Sequence, residues 1–250
     1  MLFDGCRRNA ECDRWYPNLE RRLLGLVDRL NKAPIEREVE LESGRRAKVV
    51  VTGELLLNYL FQNLYNRSGI ETVPQIIDLF EKGSPAAITS EVGYLADLYI
   101  DRPDWGDALS LSIYCHEEVP FNDLGKLRRD YLRYPLLKSF AEDESWGAAC
   151  AKWPMGPVDA VENQPIHSDV PALLLTGLYD PITPPQYARL AGSRLINSFY
   201  FEFLSVGHDV LSNETCAGEL TRQFLDDPMR MPGHACLGRL KPPEFRPPAS

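Results

Sequence analysis

The sequence of 250 residues contains no apolar run near the roughly 18 residues that a membrane-spanning helix needs. It also lacks a basic stripe. The formal net charge is −9, and the arginine pairs at 7–8, 21–22 and 128–129 stand among acidic residues. Proteins that bind nucleic acid usually carry clustered positive charge. We therefore expect no membrane span and no nucleic-acid partner, while a hydrophobic content of 44% is ordinary for a globular chain.

No two cysteines form a C-x-x-C pair, which argues against a zinc knuckle and against a thioredoxin-type redox site. Neither a metal nor an organic cofactor is expected. An even count suits three disulfides and an oxidising compartment, although six reduced, buried thiols are the alternative. Fifteen pairings exist, and pairing in chain order is the simplest. The six cysteines are Cys6, Cys12, Cys115, Cys150, Cys216 and Cys236.

The first residues, Met1 to Arg8, lack the apolar segment of a signal peptide. An exported protein needs an export signal, so the disulfide expectation implies that the natural N-terminus lies upstream. The expected location is secreted or cell-envelope.

The pattern of apolar residues divides the chain into three regions. Residues 1–107 are mainly helical and are predicted to form a cap or lid, with a hairpin around Ser43 and Gly44. Residues 108–240 alternate between strands and helices, as a parallel α/β sheet does. Residues 241–250 form a proline-rich, irregular tail. The helices are predicted at 19–31, 53–66, 72–82, 86–100, 121–141, 142–151, 184–197 and 214–225, and the sheet strands at 108–115, 171–176 and 199–204.

Two of these strands run into polar loops that carry an acid and a histidine. Asp180 follows the strand at 171–176, and His208 follows the strand at 199–204 after Gly207. A carboxylate in this place can accept a hydrogen bond from an imidazole N–H and stabilise the imidazolium. The order of strand, acid, helix, strand and histidine is that of the last two members of a Ser–Asp–His triad. Taken singly, Asp180 could be a turn residue and His208 an ordinary loop histidine.

Other residues near the strand ends are weaker candidates. Thr183 can hydrogen-bond the carboxylate of Asp180. Glu117 and Glu118, at the predicted end of the first strand, can hold the free amine of a substrate, unless they belong to a solvated acidic loop. His116-Glu117-Glu118 is not the H-E-x-x-H motif of zinc proteases. A dyad of Cys115 and His116 is disfavoured, because adjacent strand residues point to opposite faces.

The first member of a triad is missing from the sequence. No G-x-S-x-G motif occurs, and none of the serines stands between a strand and a helix in that context. The sequence thus offers an acid and a base without a nucleophile.

The segments Ser112–Glu118, Val170–Pro185 and Gly207–His208 resemble the tripeptidyl aminopeptidase branch of the α/β-hydrolases, which are exported serine exopeptidases related to prolyl aminopeptidases. The stretch from Cys6 to Glu20 resembles the start of that branch's helical cap. The resemblance implies that Asp180 is the triad acid and His208 the base. It implies that Glu117 or Glu118 lies near the amino terminus of the substrate.

The sequence departs from this family by lacking the half that carries the oxyanion loop and the nucleophile. The fold class predicted is therefore α/β: the C-terminal portion of an α/β-hydrolase sheet with a helical cap, without the N-terminal half of the fold. The expected partners are a peptide with a free N-terminus and that missing half, and the chain alone is expected to be inactive. An esterase or lipase of the same fold, and a binding protein that has lost its nucleophile, are the alternatives.

Overall fold

The computed structural model describes residues 1–100, 107–135, 144–153, 155–156 and 158–249. Over these residues the chain is of the α/β class, with many helices and two small sheets, and it divides into two compact units. The first unit comprises residues 1–26, 58–84 and 166–250, and the second comprises residues 27–57 and 85–165. The boundaries predicted for a cap, a catalytic portion and a tail stay predictions.

The second unit contains an antiparallel hairpin. Strand β1 (Ile35–Glu40) pairs with β2 (Arg46–Val51), and the turn between them places Gly44 at a φ of 77°, which glycine adopts without steric cost. One face of the hairpin is buried, and a helix over Pro85–Ile100 packs against both strands. The hairpin around Ser43 and Gly44 and the helix predicted over residues 86–100 are confirmed.

The strand predicted over residues 108–115 is wrong, because this segment is helical. An α-helix over Asp107–Ile113 continues into a π-helical turn over Tyr114–Glu118. The hydroxyl of Ser112 donates to the carbonyl of Ala108 at 2.8 Å, one helical turn back, and accepts from Nε1 of Trp153 at 3.0 Å. A disulfide joins Cys115 to Cys150. These contacts favour the helix over the apolar–polar alternation that predicted a strand.

The remaining helices of this unit are shorter than predicted. They cover Leu124–Arg133 and Glu144–Cys150, and short 3-10 turns cover Val119–Phe121 and Ala160–Asn163. Residues 101–106 and 136–143 lie outside the described part of the chain. The predictions that fall on them, which include the end of the helix predicted at 121–141 and the start of the helix predicted at 142–151, are not addressed.

A parallel pair of strands forms the centre of the first unit. Strand β3 (Ala172–Gly177) pairs with β4 (Ser198–Phe203) from Ala172 opposite Ser198 to Gly177 opposite Phe203. A helix over Pro185–Gly192 connects them, and helices over Val210–Asn213 and Thr215–Asp226 follow β4. Both predicted strands and the two longer helices are confirmed, although the connecting helix ends at Gly192 rather than at residue 197.

An apolar cluster stabilises this strand pair from the side of the last long helix. The disulfide between Cys216 and Cys236 lies within the cluster, and Phe203, Val206 and Leu220 are fully buried there. Leu173, Leu175 and Phe199 of the strands pack against it. The buried members are Phe201, Phe203, Val206, Val210, Cys216, Ala217, Leu220 and Cys236.

The helix predicted to begin at residue 72 begins instead at Arg67 and runs to Lys82. The side chain of Asn66 caps it by accepting a hydrogen bond from the backbone N–H of Gly69 at 2.9 Å. Gly69 is not a helix breaker here. A Cβ atom at this position would overlap the carbonyl oxygen of Asn63, at the end of the preceding helix (Gly53–Asn63), so glycine permits a close approach of two backbones.

The N-terminal segment and the C-terminal tail both belong to the first unit. Residues predicted as a loop before the first long helix (Leu19–Lys32) form two short helices instead, over Leu2–Arg8 and Ala10–Trp15. The tail is irregular, as predicted, but it is held in place. Phe245 is buried, Arg246 N–H donates to the carbonyl of Glu71 at 2.9 Å, and the Tyr16 hydroxyl donates to the carbonyl of Arg246 at 2.8 Å.

All six cysteines are paired in chain order: Cys6 with Cys12, Cys115 with Cys150, and Cys216 with Cys236. The simplest of the fifteen pairings is therefore confirmed. Among the described residues, no helix combines the length and the apolar character required to cross a membrane.

Candidate active site

Two loops leave the same edge of the parallel strand pair, because β3 and β4 run in the same direction. Backbone hydrogen bonds hold the loops together: the N–H of Leu178 donates to the carbonyl of Phe203 at 2.9 Å, and that of Tyr179 donates to the carbonyl of Val206 at 3.1 Å. Ligands of parallel α/β sheets bind at this carboxyl edge. The loops therefore present Asp180 and His208 at the edge where a site is expected.

Two glycines allow these loops to approach each other. A Cβ atom on Gly177 would overlap the backbone carbonyl groups of Val206 and Gly207. A Cβ atom on Gly207 would overlap the carbonyl oxygen of Leu64. The absence of a side chain at Gly207 therefore permits its close contact with a neighbouring backbone segment.

Asp180 is buried, and both of its carboxylate oxygens accept hydrogen bonds. Oδ1 accepts hydrogen bonds from the backbone N–H groups of Ile182 at 2.8 Å and Thr183 at 2.9 Å, and Oδ2 accepts from the Thr183 hydroxyl at 2.8 Å. Burial acts to raise the pKa of Asp180, but the hydrogen bonds from Thr183, His208 and Ile182 outweigh burial and hold the pKa below its usual value. The carboxyl group is thus ionised at neutral pH.

His208 lies directly against this carboxylate. Its Nδ1 is 3.2 Å from Oδ1 and 3.1 Å from Oδ2 of Asp180. An ionised carboxylate can only accept, so Nδ1 must carry the proton and donate it. In the neutral ring Nε2 is then the basic nitrogen. The side chain of His208 is 35% exposed, whereas that of Asp180 is 5% exposed.

The backbone after His208 is in an uncommon conformation. Asp209 has a φ of 57° and a ψ of 59°, in the left-handed region that residues other than glycine seldom adopt. Strained backbone of this kind often occurs where a functional side chain must be held in place. Sequence reasoning missed this feature, because aspartate is one of the few non-glycine residues that tolerate the conformation and so gave no signal.

In the described part of the chain, Nδ1 of His208 faces both carboxylate oxygens of Asp180, and no serine or threonine hydroxyl is hydrogen-bonded to the ring. Every cysteine is in a disulfide, so Cys115 is not a free thiol and the disfavoured dyad with His116 is excluded.

Glu117 and Glu118 belong to the second unit, on the π-helical turn rather than at a strand end, and both side chains are exposed. Their role in binding a substrate stays a prediction. The structure thus brings Asp180, Thr183 and His208 together, and their catalytic roles are considered below as a proposal.

A buried carboxylate and a histidine, on successive loops at the carboxyl edge of parallel strands, are the acid and base arrangement of an α/β-hydrolase. Residues 134–236 match the abhydrolase family model described as TAP-like protein, and this match includes β3, β4, Asp180 and His208. The recognition of a tripeptidyl aminopeptidase-like α/β-hydrolase is confirmed over that segment, and the match indicates a hydrolase. Comparison with curated proteins and with solved structures finds no match.

Proposed function

We propose that this chain supplies the acid and the base of a serine hydrolase that releases short peptides or single residues from the free N-terminus of peptide substrates. The hydrogen bond between His208 and Asp180 is the observation that carries the proposal. The match of residues 134–236 to the TAP-like family supports the choice of an exopeptidase over other hydrolases. Three disulfides support a secreted or cell-envelope location.

In the proposed reaction, a serine from a segment outside this sequence attacks the peptide carbonyl carbon. Nε2 of His208 takes the hydroxyl proton as the serine Oγ forms a bond to the carbonyl carbon. The tetrahedral adduct then collapses with cleavage of the C–N bond, and the departing amine receives that proton from Nε2. A water molecule repeats the sequence on the acyl-enzyme. Asp180 stays ionised throughout, fixes the ring tautomer through Nδ1–H and stabilises the imidazolium.

Glu117 and Glu118 are proposed to bind the ammonium group of the substrate, since a carboxylate pair at a peptide-binding site would favour a free N-terminus. The chain by itself is proposed to be inactive. A histidine and an aspartate can polarise water, but without a nucleophile and an oxyanion hole most of the rate enhancement is lost.

The test is labelling by a fluorophosphonate probe, which reacts with activated serines. We expect no labelling of this chain alone, and labelling of a protein extended upstream in its reading frame. In the extended protein, His208→Ala should reduce kcat by roughly a thousandfold or more. His167→Ala, at an exposed histidine of the same unit, is the matched control and should leave kcat unchanged.

Labelling of the chain alone would contradict the proposal, because a serine within this sequence would then be the nucleophile. Failure to label either protein would favour a binding protein that has lost its nucleophile. Peptides with free and with acetylated N-termini, and simple esters, separate the substrate classes. Cleavage only of the peptides with a free N-terminus supports an aminopeptidase. A preference for esters would point to an esterase.

A further inference from the structure

The link between two helices lies close to the candidate pair and contacts the ring of His208. This link, Leu64–Asn66, joins the helix Gly53–Asn63 to the helix Arg67–Lys82. Leu64 lines a cavity of about 490 Å³ together with Asp180. The carbonyl oxygen of Leu64 touches Gly207, the residue before His208.

The next residue of the link reaches the histidine ring itself. The rings of Tyr65 and His208 have centroids 5.2 Å apart and planes inclined by 71°, which is an edge-to-face arrangement. Aromatic pairs prefer this geometry over a face-to-face one. Tyr65 thus contacts the base of the pair from a chain segment distant from both catalytic loops.

A hydrogen bond to Asp180 alone does not fix the imidazole. The bond holds Nδ1, but the ring can still tilt about that bond, and the side chain of His208 is open to solvent over about a third of its surface. A tilt about Nδ1 displaces Nε2, the atom that must meet the nucleophile. A second contact on the ring is needed to define its plane.

We infer that Tyr65 is a positioning residue, which holds the His208 ring in the plane where Nδ1 meets Asp180 and Nε2 faces away from it. This inference rests on the proposed function for its catalytic meaning, but the alignment of the ring is a property of the chain by itself. Leu64 supports the same arrangement by fixing the backbone at Gly207, so the link holds the base at two points.

The test measures the ring rather than turnover. In the intact chain, NMR detects the Nδ1–H proton of His208, and exchange of this proton with water requires the ring to swing out of its hydrogen bond. Loss of one aromatic contact corresponds to roughly a two- to tenfold change in population. We therefore expect Tyr65→Ala to raise the exchange rate of this proton roughly two- to tenfold. Tyr65→Phe, which keeps the ring, should leave the rate unchanged.

Two further variants keep the test decisive. Tyr65→Leu keeps an apolar side chain without an aromatic ring, and it should exchange as fast as Tyr65→Ala; it also serves if the alanine variant fails to fold. Tyr187→Ala, at an exposed tyrosine of the same unit, is the matched control and should behave as the unmodified chain. Unchanged exchange in both Tyr65→Leu and Tyr65→Ala would overturn the inference, as would equal acceleration by Tyr65→Phe.

The outcomes separate this inference from the proposed function. Asp180→Ala identifies the resonance, because it removes the acceptor of the Nδ1–H proton. If the unmodified chain shows no protected proton that Asp180→Ala abolishes, the pair itself is not formed and both ideas fail. If the protected proton is present and its exchange rate rises in Tyr65→Ala and Tyr65→Leu, the inference stands even where the probe fails to label the extended protein.

Discussion

At the scale of single residues, the candidate site depends on a carboxylate that is buried and yet charged. Asp180 achieves this because Ile182, Thr183 and His208 all donate to it. Three of these four hydrogen bonds come from residues within three positions along the chain, so the local sequence Asp-Pro-Ile-Thr builds its own anion-binding loop. Only the fourth, from His208, depends on the fold.

Asp180→Asn tests the charge of this carboxylate through the pH dependence of stability. The folded-state pKa of Asp180 lies below its unfolded value of about 3.9, so its contribution is present above about pH 4 and is lost as the pH falls through the folded-state pKa. We expect the variant to lower the free energy of unfolding by about 1–3 kcal/mol at pH 7. The difference from the unmodified chain should shrink below about pH 4.

Urea unfolding at pH 7, 5 and 3 measures this difference. Asp226→Asn, at an exposed aspartate of the last long helix, is the control and should have little effect at any pH. A difference for Asp180→Asn that does not change with pH would show that the carboxylate is not the source of the stabilisation.

Gly207, the residue before His208, has no room for a Cβ atom. A Cβ atom in Gly207→Ala would overlap the backbone carbonyl of Leu64, which cannot rotate away as a side chain can. We expect this variant to lower the free energy of unfolding by about 3 kcal/mol, within the range for severe overpacking. It should also weaken the bond between His208 and Asp180.

Gly218→Ala is the matched control, and we expect it to raise the thermal midpoint of unfolding, whereas Gly207→Ala should lower it. Gly218 lies inside the helix Thr215–Asp226, where nothing lies within 4 Å of an added Cβ atom. Alanine should stabilise this helix by about 0.5–1 kcal/mol. If both glycine variants shifted the thermal midpoint in the same direction, the close contact at Gly207 would not be the cause.

At the scale of elements, two helices of the first unit are joined by a group of charges. Arg22 forms ion pairs with Asp78 and Glu81, and all three side chains are mostly buried. Burial acts to lower the pKa of Arg22, but the hydrogen bonds to Asp78 and Glu81 raise it above its usual value. Burial likewise acts to raise the pKa of Asp78, while Lys82 and Arg22 lower it overall.

Arg22→Ala should therefore do more harm than the loss of a surface ion pair. It leaves two partly buried carboxylates side by side, and we expect the free energy of unfolding to fall by about 3 kcal/mol at pH 7. Arg21→Ala, at the exposed neighbour, should cost less than about 1 kcal/mol. Lowering the pH protonates the carboxylates and should reduce the penalty for Arg22→Ala; a penalty that persists at low pH would indicate lost packing instead.

Elements whose local signals agree with their packing were predictable from the sequence. The strands β3 and β4 are apolar runs, and the hairpin has a glycine at its turn, so both follow from pattern alone. The segment after residue 107 was not predictable in this way. Its alternating leucines and serines favour a strand, yet Trp153 and Cys150, which lie far along the chain, bind it as a helix. The start of the helix predicted at residue 72 was also missed, because the cap by Asn66 and the close backbone contact at Gly69 depend on the preceding helix.

The residues of the candidate site likewise divide into those that the sequence predicts and those that only the fold reveals. Asp180, Thr183 and His208 follow from strand ends and spacing, because parallel strands bring their carboxyl ends together. Tyr65 gave no signal, since its contact with His208 joins segments more than a hundred positions apart by a path that only the fold defines. The strained backbone at Asp209 is equally invisible to a pattern of residue types.

At the scale of the whole molecule, the beginning and the end of the described chain are held in one unit. The hydroxyl of Tyr16 donates to the carbonyl of Arg246, and Nε2 of Gln75 donates to the carbonyl of Pro247 at 2.6 Å. Phe245, which directly precedes these two anchors along the chain, is buried. The proline-rich tail therefore lacks regular secondary structure but is still ordered.

Phe245→Ala tests whether this tail contributes to stability. Truncating a buried phenylalanine typically costs about 3–5 kcal/mol, and we expect a loss of free energy of unfolding within that range. Leu225→Ala, at a leucine that is 70% exposed, should change the free energy of unfolding by less than about 0.5 kcal/mol. Chemical unfolding distinguishes the two, and equal effects would show that the tail is only loosely attached.

The order of the disulfides has a consequence for how the protein is made. The first cysteine is bonded to the second, the third to the fourth and the fifth to the sixth, and the partners are 6, 35 and 20 positions apart. A chain that enters an oxidising compartment from its N-terminus can therefore close each bond before the next pair emerges. No correct bond has to wait for a distant thiol, and no wrong bond has to be opened to reach the final set. In refolding of the full-length reduced chain all six thiols are present at once and fifteen pairings compete, so the native set should form more slowly there than during entry from the N-terminus.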